Sequence, residues 1–245
     1  LVCFVVFFIA GFVDAIAGGG GLITMPVLLL LGIPAHYTLG TGKLASSLGS
    51  ITALITFWKR GAVIKEVVLL GVISSYFGAV IASATTLLIS NEKMTIIMIF
   101  LLPVAILLSL FCGTLKLTEE DLPKKGVWWR VSAIGLSVGF YEGFFGPGAG
   151  SFFLIGIHLL LKAGLVKASG TAKAFNIAAN LGAVTTFASA GTLYYSLALP
   201  CAVASILGNR LGAIYAVKIG PTLVRSMLYF VLVMLLISLI TRFVI

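Results

Sequence analysis

Long apolar runs recur along the whole chain, and polar residues are confined to short stretches between them. A helix needs about 20 mostly apolar residues to cross the hydrocarbon core of a bilayer. Runs of that length lie near 39–58, 66–90, 94–113, 168–188, 194–217 and 222–241. The pattern therefore predicts an all-α polytopic membrane protein.

Two further apolar runs are interrupted by glycines. One consists of the pieces 1–17 and 22–33, and the other of the pieces 131–145 and 151–161. Glycine destabilises a helix by about 1 kcal/mol relative to alanine, so each run is predicted to break. A piece of about 12 residues spans about 18 Å and does not cross the core. We therefore predict that each broken segment is re-entrant, entering the membrane and returning to the same side.

Composition excludes a soluble protein. Of the 245 residues, 60% are hydrophobic and 9% are charged, whereas a soluble domain carries about 25% charged residues. The net charge of +9 would suggest nucleic-acid binding in a soluble protein. In a membrane protein, basic loop residues set the orientation, so we expect no nucleic-acid partner. The chain starts without Met or a signal-peptide pattern, from which we expect a trimmed N-terminus.

The sequence contains an internal duplication. The stretch "GFVDAIAGGGG" at 11–21 is echoed by "GFYEGFFGPGAG" at 139–150, with Asp14 matched by Glu142. Further along, "LGTGK" is echoed by "SGTAK", and "TFWKRG" by "TFASAG". Ordered matches over roughly 100 residues indicate two copies of one unit.

The duplication defines the domain organisation. We predict an N-terminal membrane repeat at 1–113, a cytoplasmic linker at 114–130 and a C-terminal membrane repeat at 131–245. Each repeat is predicted to contain a broken re-entrant helix pair plus three transmembrane helices.

Basic residues in the loops predict the topology. If the broken segments make no net crossing, eleven loop Lys and Arg residues fall on one side, and Lys93 and Arg242 lie opposite. Basic loops favour the cytoplasmic side, so the count predicts inverted-topology repeats with both termini outside. The eleven residues are Lys59, Arg60, Lys65, Lys116, Lys124, Lys125, Arg130, Lys162, Lys167, Lys218 and Arg225.

Few charges remain within the predicted membrane segments. They are Asp14, Lys43, Glu142, Lys173 and Arg210. A charge at this depth costs several kcal/mol, so it usually faces a cavity, a partner or a substrate. Lys43 and Lys173 occupy equivalent positions, and a pseudo-two-fold axis would place them as a pair.

The two lysines lie on polar helix faces. Helical spacing puts Lys173 on one face with Asn176 and Asn180. The equivalent face of the first repeat carries Lys43, Ser46 and Ser50. Both faces offer a cation and hydrogen-bonding groups, a combination that suits an oxyanion.

The glycine breaks favour the same chemistry. A half-helix that begins near Leu22 or Ser151 would present free backbone N–H groups and the positive end of its dipole. Irregular backbone at membrane depth is tolerated where it lines a cavity. We therefore predict an anion site near the midplane, formed by the two breaks and the two lysines.

Other interpretations of these residues stay open. Glycines in membrane helices often serve close packing, which we assign to Gly71, Gly78, Gly208 and Gly212. The lysines could instead neutralise Asp14 and Glu142 as structural pairs, or these acids could carry protons. Arg210 could extend the anion site on one side or bind an acid, since no basic residue aligns with it.

The duplicated pattern resembles a known family. A glycine-rich break followed by a short apolar stretch and then "GTGK" or "GTAK", present twice, is similar to the TauE/SafE sulfite exporter family, also called the toluene-sulfonate uptake permeases. The resemblance implies a multi-pass transporter of sulfite, organosulfonates or related small anions in a prokaryotic plasma membrane, the bacterial inner membrane. The substrate-binding residues that motifs and resemblance together indicate are Gly18, Gly19, Gly20, Gly21, Gly40, Thr41, Lys43, Ser46, Gly146, Gly148, Gly150, Ser151, Thr171, Lys173, Asn176 and Asn180.

The predicted function is secondary transport of small sulfur-containing anions, in the export direction and by alternating access. The alternative is a channel or carrier for another small anion or a neutral solute. An enzyme is not expected, because the sequence shows no two-aspartate pair within the spans, no Gly-x-Ser motif with a placed histidine and no metal-ligand cluster. We expect no cofactor or metal. The expected partners are the anionic substrate and the lipid bilayer, with a homodimer as an open alternative to a monomer.

Overall fold

The computed structural model describes residues 2–110 and 126–220 together with 222, 223 and 226. These residues are all-helical, as predicted, and contain no β-strand. Most of the predicted linker and of the predicted span at 222–241 lies outside the described residues. The helices are α1 (Val2–Ala17), α2 (Gly21–Leu30), α3 (Ala35–Lys59), α4 (Lys65–Leu87), α5 (Asn91–Leu110), α6 (Val127–Phe144), α7 (Ala149–Leu161), α8 (Leu165–Ser189) and α9 (Tyr195–Ile219).

Both apolar runs with central glycines are broken where the sequence indicates. The first break separates α1 from α2, and the second separates α6 from α7. Gly18 and Gly146 have φ angles of 79° and 99°, a backbone region that favours glycine. The first pieces are longer than half-helices, because α1 has 16 residues and α6 has 18, or about 24 and 27 Å.

The long helices α3, α4, α8 and α9 differ in polarity. Among the described helices, α4 and α9 are long and apolar enough to cross a membrane by length and composition. Helices α3 and α8 have 25 residues each, about 37 Å, but they carry the polar faces predicted from the sequence. Lys43 and Ser50 of α3 and Asn176 of α8 are buried within the protein. The polar residues are therefore shielded from lipid by neighbouring helices.

Glycines allow helices of the two halves of the chain to pack closely. Gly208 on α9 lies against the carbonyl of Phe8 on α1, and Gly78 on α4 lies against the carbonyl of Leu136 on α6. In both places a side chain in place of the glycine would meet backbone atoms. These two glycines therefore occupy packing positions, as the sequence predicts. Helix α1 of the first half thus packs on α9 of the second, and α6 of the second on α4 of the first.

Helices α3 and α8 cross at the centre of the molecule in opposite directions. Gly40 near the start of α3 lies against Phe187 near the end of α8, and Gly170 near the start of α8 lies against Phe57 near the end of α3. Apolar clusters fill both ends of this crossing. One includes Phe57, Phe153 and Phe175, and the other includes Leu39, Phe145 and Phe187. Along each of these two helices, the polar face lies between the two clusters.

The glycine contacts predict unequal effects of the same substitution. A Cβ at Gly139 would lie 2.5 Å from the Ser75 carbonyl oxygen and 2.8 Å from its Cα, both backbone atoms that cannot move aside. A Cβ at Gly156 would meet only the Ile134 side chain, at 3.3 Å. We expect Gly139→Ala to cost about 1–3 kcal/mol and to lower the melting temperature in detergent by about 2–10 °C. Gly156→Ala is the matched control, and equal melting temperatures for the two variants would contradict this packing.

Candidate functional site

Two buried ion pairs join the halves of the chain. The Lys173 ammonium lies 2.7 Å from Oδ2 of Asp14, and the Lys43 ammonium lies 2.9 Å from Oε1 of Glu142. Lys43 also donates a hydrogen bond to the backbone carbonyl of Glu142 at the end of α6. The side chains are buried, with Lys173 only 2% exposed. Each lysine therefore meets a carboxylate from the other half, and the lysines do not form a pair of free cations.

The two carboxylates have different surroundings. Asp14 accepts hydrogen bonds from Ser50 Oγ at 3.2 Å and more weakly from the Gly20 N–H at 3.4 Å, in addition to its lysine. Beyond its lysine, the Glu142 carboxylate has a long contact of 3.5 Å with Nδ2 of Asn176. Asn180 in turn donates to Oδ1 of Asn176 at 3.1 Å, which orients that amide. Asp14 is therefore the more strongly held of the two acids.

The two helix breaks contact each other directly. The Ser151 hydroxyl donates to the Ala17 carbonyl at 2.6 Å, and the Ser151 N–H donates to the Gly18 carbonyl at 3.2 Å. Gly18 and Gly150 touch backbone to backbone. The Leu22 N–H donates to the Gly19 carbonyl at 3.1 Å. The N–H groups of Leu22 and Ser151 themselves are therefore not free, because they bond to carbonyls at the first break.

A cavity with about 450 Å³ of empty space, part of it open at the mouth, lies where the breaks meet α3 and α8. Many of the predicted site residues line it, and they come from both halves. These are Asp14, Gly18, Gly21, Lys43, Ser46, Glu142, Gly146, Gly150, Asn176 and Asn180. Among these predicted residues, the cavity thus brings one ammonium, two carboxylates, one hydroxyl and two amides to a single space.

Other predicted residues lie elsewhere. Thr41 accepts a hydrogen bond from the Tyr194 N–H at 3.1 Å, and Thr171 accepts one from the Ile64 N–H at 2.9 Å. These hydroxyls therefore hold the starts of α9 and α4. Lys173 lies behind Asp14, and Arg210 is exposed on α9. Gly19, Gly20, Gly40, Gly148 and Ser151 are also outside the described lining of the cavity.

Several lining residues were missed from the sequence. Thr38 and Gly42 precede Ser46 at intervals of four on α3, so the helical period could have identified them. Thr24, Met25, Leu39, Phe145 and Pro147 complete the lining and carry no such signal.

Asn209 was missed as well. It is 1% exposed beside Arg210, and its Oδ1 has no hydrogen-bond partner among the described residues. It borders a smaller cleft that Asp14 also lines. The aligned position of the first half is Ala79, so the internal repeat gave no indication of a polar residue there.

The groups around the cavity are charged and polar side chains from both halves of the chain. Among the described residues, no group of three His, Cys, Asp or Glu side chains is placed to hold a metal ion. The cavity groups can donate and accept hydrogen bonds and can compensate the charge of a small solute. They lie where helices of the two halves pack on each other.

The Asp14–Lys173 pair is expected to stabilise the fold by cancelling two buried charges. Lys173→Met leaves the Asp14 carboxylate without its cation, and we expect a loss of about 3–5 kcal/mol. Removing both charges in Asp14→Asn/Lys173→Met is expected to restore at least half of that loss. Thermal unfolding in detergent measures the stability of both variants. Lys93→Met, a change at an exposed lysine, is the control. If Lys173→Met were as stable as the control, the Asp14–Lys173 pair would not stabilise the fold.

The chain is similar to known membrane proteins. The family described as "Sulfite exporter TauE/SafE" matches residues 3–239. A "Probable membrane transporter protein ORF9" from Sinorhizobium sp is 36% identical over 96% of this chain and 90% of its own. A "Probable membrane transporter protein" from Haemophilus influenzae is 36% identical over 92% of this chain and 88% of its own. The "Probable membrane transporter protein YfcA" of Escherichia coli K12 is 34% identical over 94% of this chain and 85% of its own.

No solved structure matches the chain. The family and these relatives are described as membrane transporters and not as enzymes, which confirms both of those predictions. The chain therefore belongs to the TauE/SafE sulfite exporter family and is a multi-pass membrane transporter.

Proposed function

We propose that this transporter carries small sulfur-containing anions, sulfite or organosulfonates, out of the cell by alternating access. The observation that carries the proposal is the cavity formed by both helix breaks, with Lys43 on its wall. Ser46, Asn176 and Asn180 surround it with hydroxyl and amide groups that donate hydrogen bonds. A tetrahedral or pyramidal oxyanion needs several donors and a cation, and this cavity supplies them.

The proposal includes two inverted repeats in a prokaryotic plasma membrane, with both termini outside. The packing supports it, because equivalent contacts occur twice. Gly11 lies against Ser205, and the aligned Gly139 lies against the aligned Ser75. The equivalent helices α3 and α8 cross in opposite directions, which is the relation that inverted topology requires.

The cavity supports alternating access through its asymmetry. Met25, Thr38 and Leu39 border it at the α2–α3 end, which the proposed topology places outside. At the opposite end Phe153 and Phe175 pack edge to face with ring centroids 5.9 Å apart. Neither of these phenylalanines is among the residues that line the cavity. If the first half adopted the packing of the second half and the second half that of the first, the cavity would open to the cytoplasmic side.

One observation favours a second candidate, a carrier for another small anion or for a neutral solute. The carboxylates of Asp14 and Glu142 line the cavity beside the single ammonium of Lys43. A zwitterionic or neutral solute would meet both signs of charge there. Flux measurements with several anions in proteoliposomes distinguish the candidates.

The inverted topology predicts that aligned loop positions lie on opposite sides of the membrane. Arg60 and Ala190 are exposed and align with each other after α3 and α8. In a chain without its three native cysteines, we expect Ala190→Cys to react with an impermeant thiol reagent in intact cells. Arg60→Cys is expected to react only after permeabilisation. Labelling of both from the same side would contradict the inverted repeats.

The proposed substrate class is tested by flux into proteoliposomes. Sulfite, sulfate, thiosulfate, ethanesulfonate and a small carboxylate are compared, with protein-free vesicles to correct for passive entry. We expect saturable flux of sulfite or the sulfonate, exceeding that of the carboxylate. Absence of saturable flux for every sulfur anion would reject the proposal, and flux restricted to another solute would favour the alternative.

The role of Lys43 is tested in the same assay. Loss of a charged hydrogen-bond donor costs about 1.5–3 kcal/mol, so Lys43→Gln is expected to lower anion flux by at least about tenfold. Ser46→Ala leaves both ion pairs intact and is expected to raise the half-saturating concentration about fivefold. Lys93→Gln, at an exposed lysine, is the control. Unchanged flux in folded Lys43→Gln protein would exclude a lysine-bound anion.

A further inference from the structure

The charges around the cavity do not suit an anion that enters alone. Asp14, Glu142 and Lys43 line the cavity, and Lys173 lies behind Asp14. The four formal charges cancel, so the empty site is neutral. An anion that entered it would leave a net negative charge within the membrane interior, which costs several kcal/mol. One further positive charge must therefore accompany each monovalent anion.

The two ion pairs are not equally able to provide it. Asp14 is held by Lys173 at 2.7 Å, by the Ser50 hydroxyl and by the Gly20 N–H. Three donors stabilise the ionised form of a carboxylate, and Lys173 is not among the residues that line the cavity. The Asp14–Lys173 pair therefore has the features of a structural pair.

The Glu142–Lys43 pair has the opposite features. Both residues line the cavity, so a solute can reach the ammonium. The Glu142 carboxylate has one close charged donor, at 2.9 Å, and its second oxygen has only the 3.5 Å contact with Asn176. A ligand that draws Lys43 away would leave this carboxylate with little compensation for its charge. Protonation would then remove the charge.

The groups that face Glu142 from neighbouring helices are few. Helix α3 contributes the charged group of Lys43, α1 that of Asp14, and α8 that of Lys173 together with the uncharged amide of Asn176. Helix α4 meets this part of α6 through Ala79, which has no titratable group. The second break, which leads into α7, borders the site with glycine and proline. On α6 itself, the Tyr141 hydroxyl points to the Pro147 carbonyl, at 2.6 Å.

We infer that Glu142 binds a proton whenever Lys43 binds the anion, so that the chain moves each monovalent anion together with one proton. This inference rests on the proposed function. The proton passes from water to the Glu142 carboxylate, which becomes a carboxylic acid, and Lys43 stays an ammonium that now donates to the anion. Release of both restores the Lys43–Glu142 pair. The loaded and the empty site are both neutral, and the site with an anion alone is not.

An electroneutral carrier of this kind follows the combined gradients of anion and proton. Net movement is outward when the anion accumulates inside beyond the level that the pH difference supports. Export and uptake are then two directions of one cycle, chosen by concentrations and not by the protein.

The test measures accumulation driven by a pH gradient in proteoliposomes. The probe is radiolabelled ethanesulfonate, which stays fully ionised and carries no proton of its own, with sulfite in a second series. With the exterior about one pH unit more acidic, coupling to one proton should concentrate ethanesulfonate about tenfold inside. Imposed membrane potentials should leave the rate unchanged.

Glu142→Gln is expected to separate transport from coupling. The amide cannot bind the proton, so anion exchange should persist and the accumulation ratio should fall from about ten to about one. Glu142→Asp keeps a titratable carboxyl group and is expected to keep accumulation. Glu92→Gln, the same change at an exposed glutamate at the start of α5, is the matched control and should behave as the unaltered chain.

The outcomes distinguish the two proposals. No protein-dependent flux of either anion would reject the proposed function and the coupling with it. Flux that equilibrates ethanesulfonate regardless of the pH gradient, or that responds to membrane potential, would reject the coupling alone. Accumulation that persists in Glu142→Gln would overturn the assignment to this residue. If that variant does not fold, the gradient dependence of the unaltered chain still decides whether protons are coupled.

Discussion

The structure depends on the cost of burying charge in apolar surroundings. Two lysines and two carboxylates lie at its centre, and each lysine meets a carboxylate of the other half. A buried charge that loses its partner destabilises a protein by several kcal/mol, so the halves are held in a fixed register. The antiparallel crossing of α3 and α8 and the contact between the two helix breaks both satisfy that register. The cavity is the space that this arrangement leaves.

Charge pairing at this depth also requires helices to approach closely. Glycines provide that approach on both sides of the crossing, with α1 packed on α9 and α6 on α4 through backbone contacts. At the centre, Gly18 and Gly150 bring the two breaks together, and Ser151 closes the contact with two hydrogen bonds. The same small residues therefore serve helix packing and cavity formation. The two interpretations of the glycines, as packing residues and as residues of an anion site, therefore apply to different positions.

Much of the fold could be predicted from the sequence because membrane helices are encoded locally. Apolar run length gave the long helices, and clustered glycines gave both breaks. The buried charges also identified most of the cavity, because Lys43 and Glu142 have few other reasons to lie at that depth. Three-dimensional pairing decided the rest. The "GTGK" and "GTAK" motifs suggested Thr41 and Thr171 as ligands, but their hydroxyls receive N–H groups at the starts of α9 and α4. No local pattern shows which distant backbone group a threonine will meet.

The cross-connection of the ion pairs has a consequence for how the protein is made. The first half is synthesised with Asp14 and Lys43, but their partners Lys173 and Glu142 belong to the second half. Until those partners emerge from the ribosome, Asp14 and Lys43 lack the charges that compensate them in the folded protein, and their exposure to lipid is costly. Its polar helix α3 is therefore expected to wait in a hydrated or protein-lined environment of the insertion machinery. Membrane integration of the first half is therefore expected to depend on the synthesis of α6 and α8.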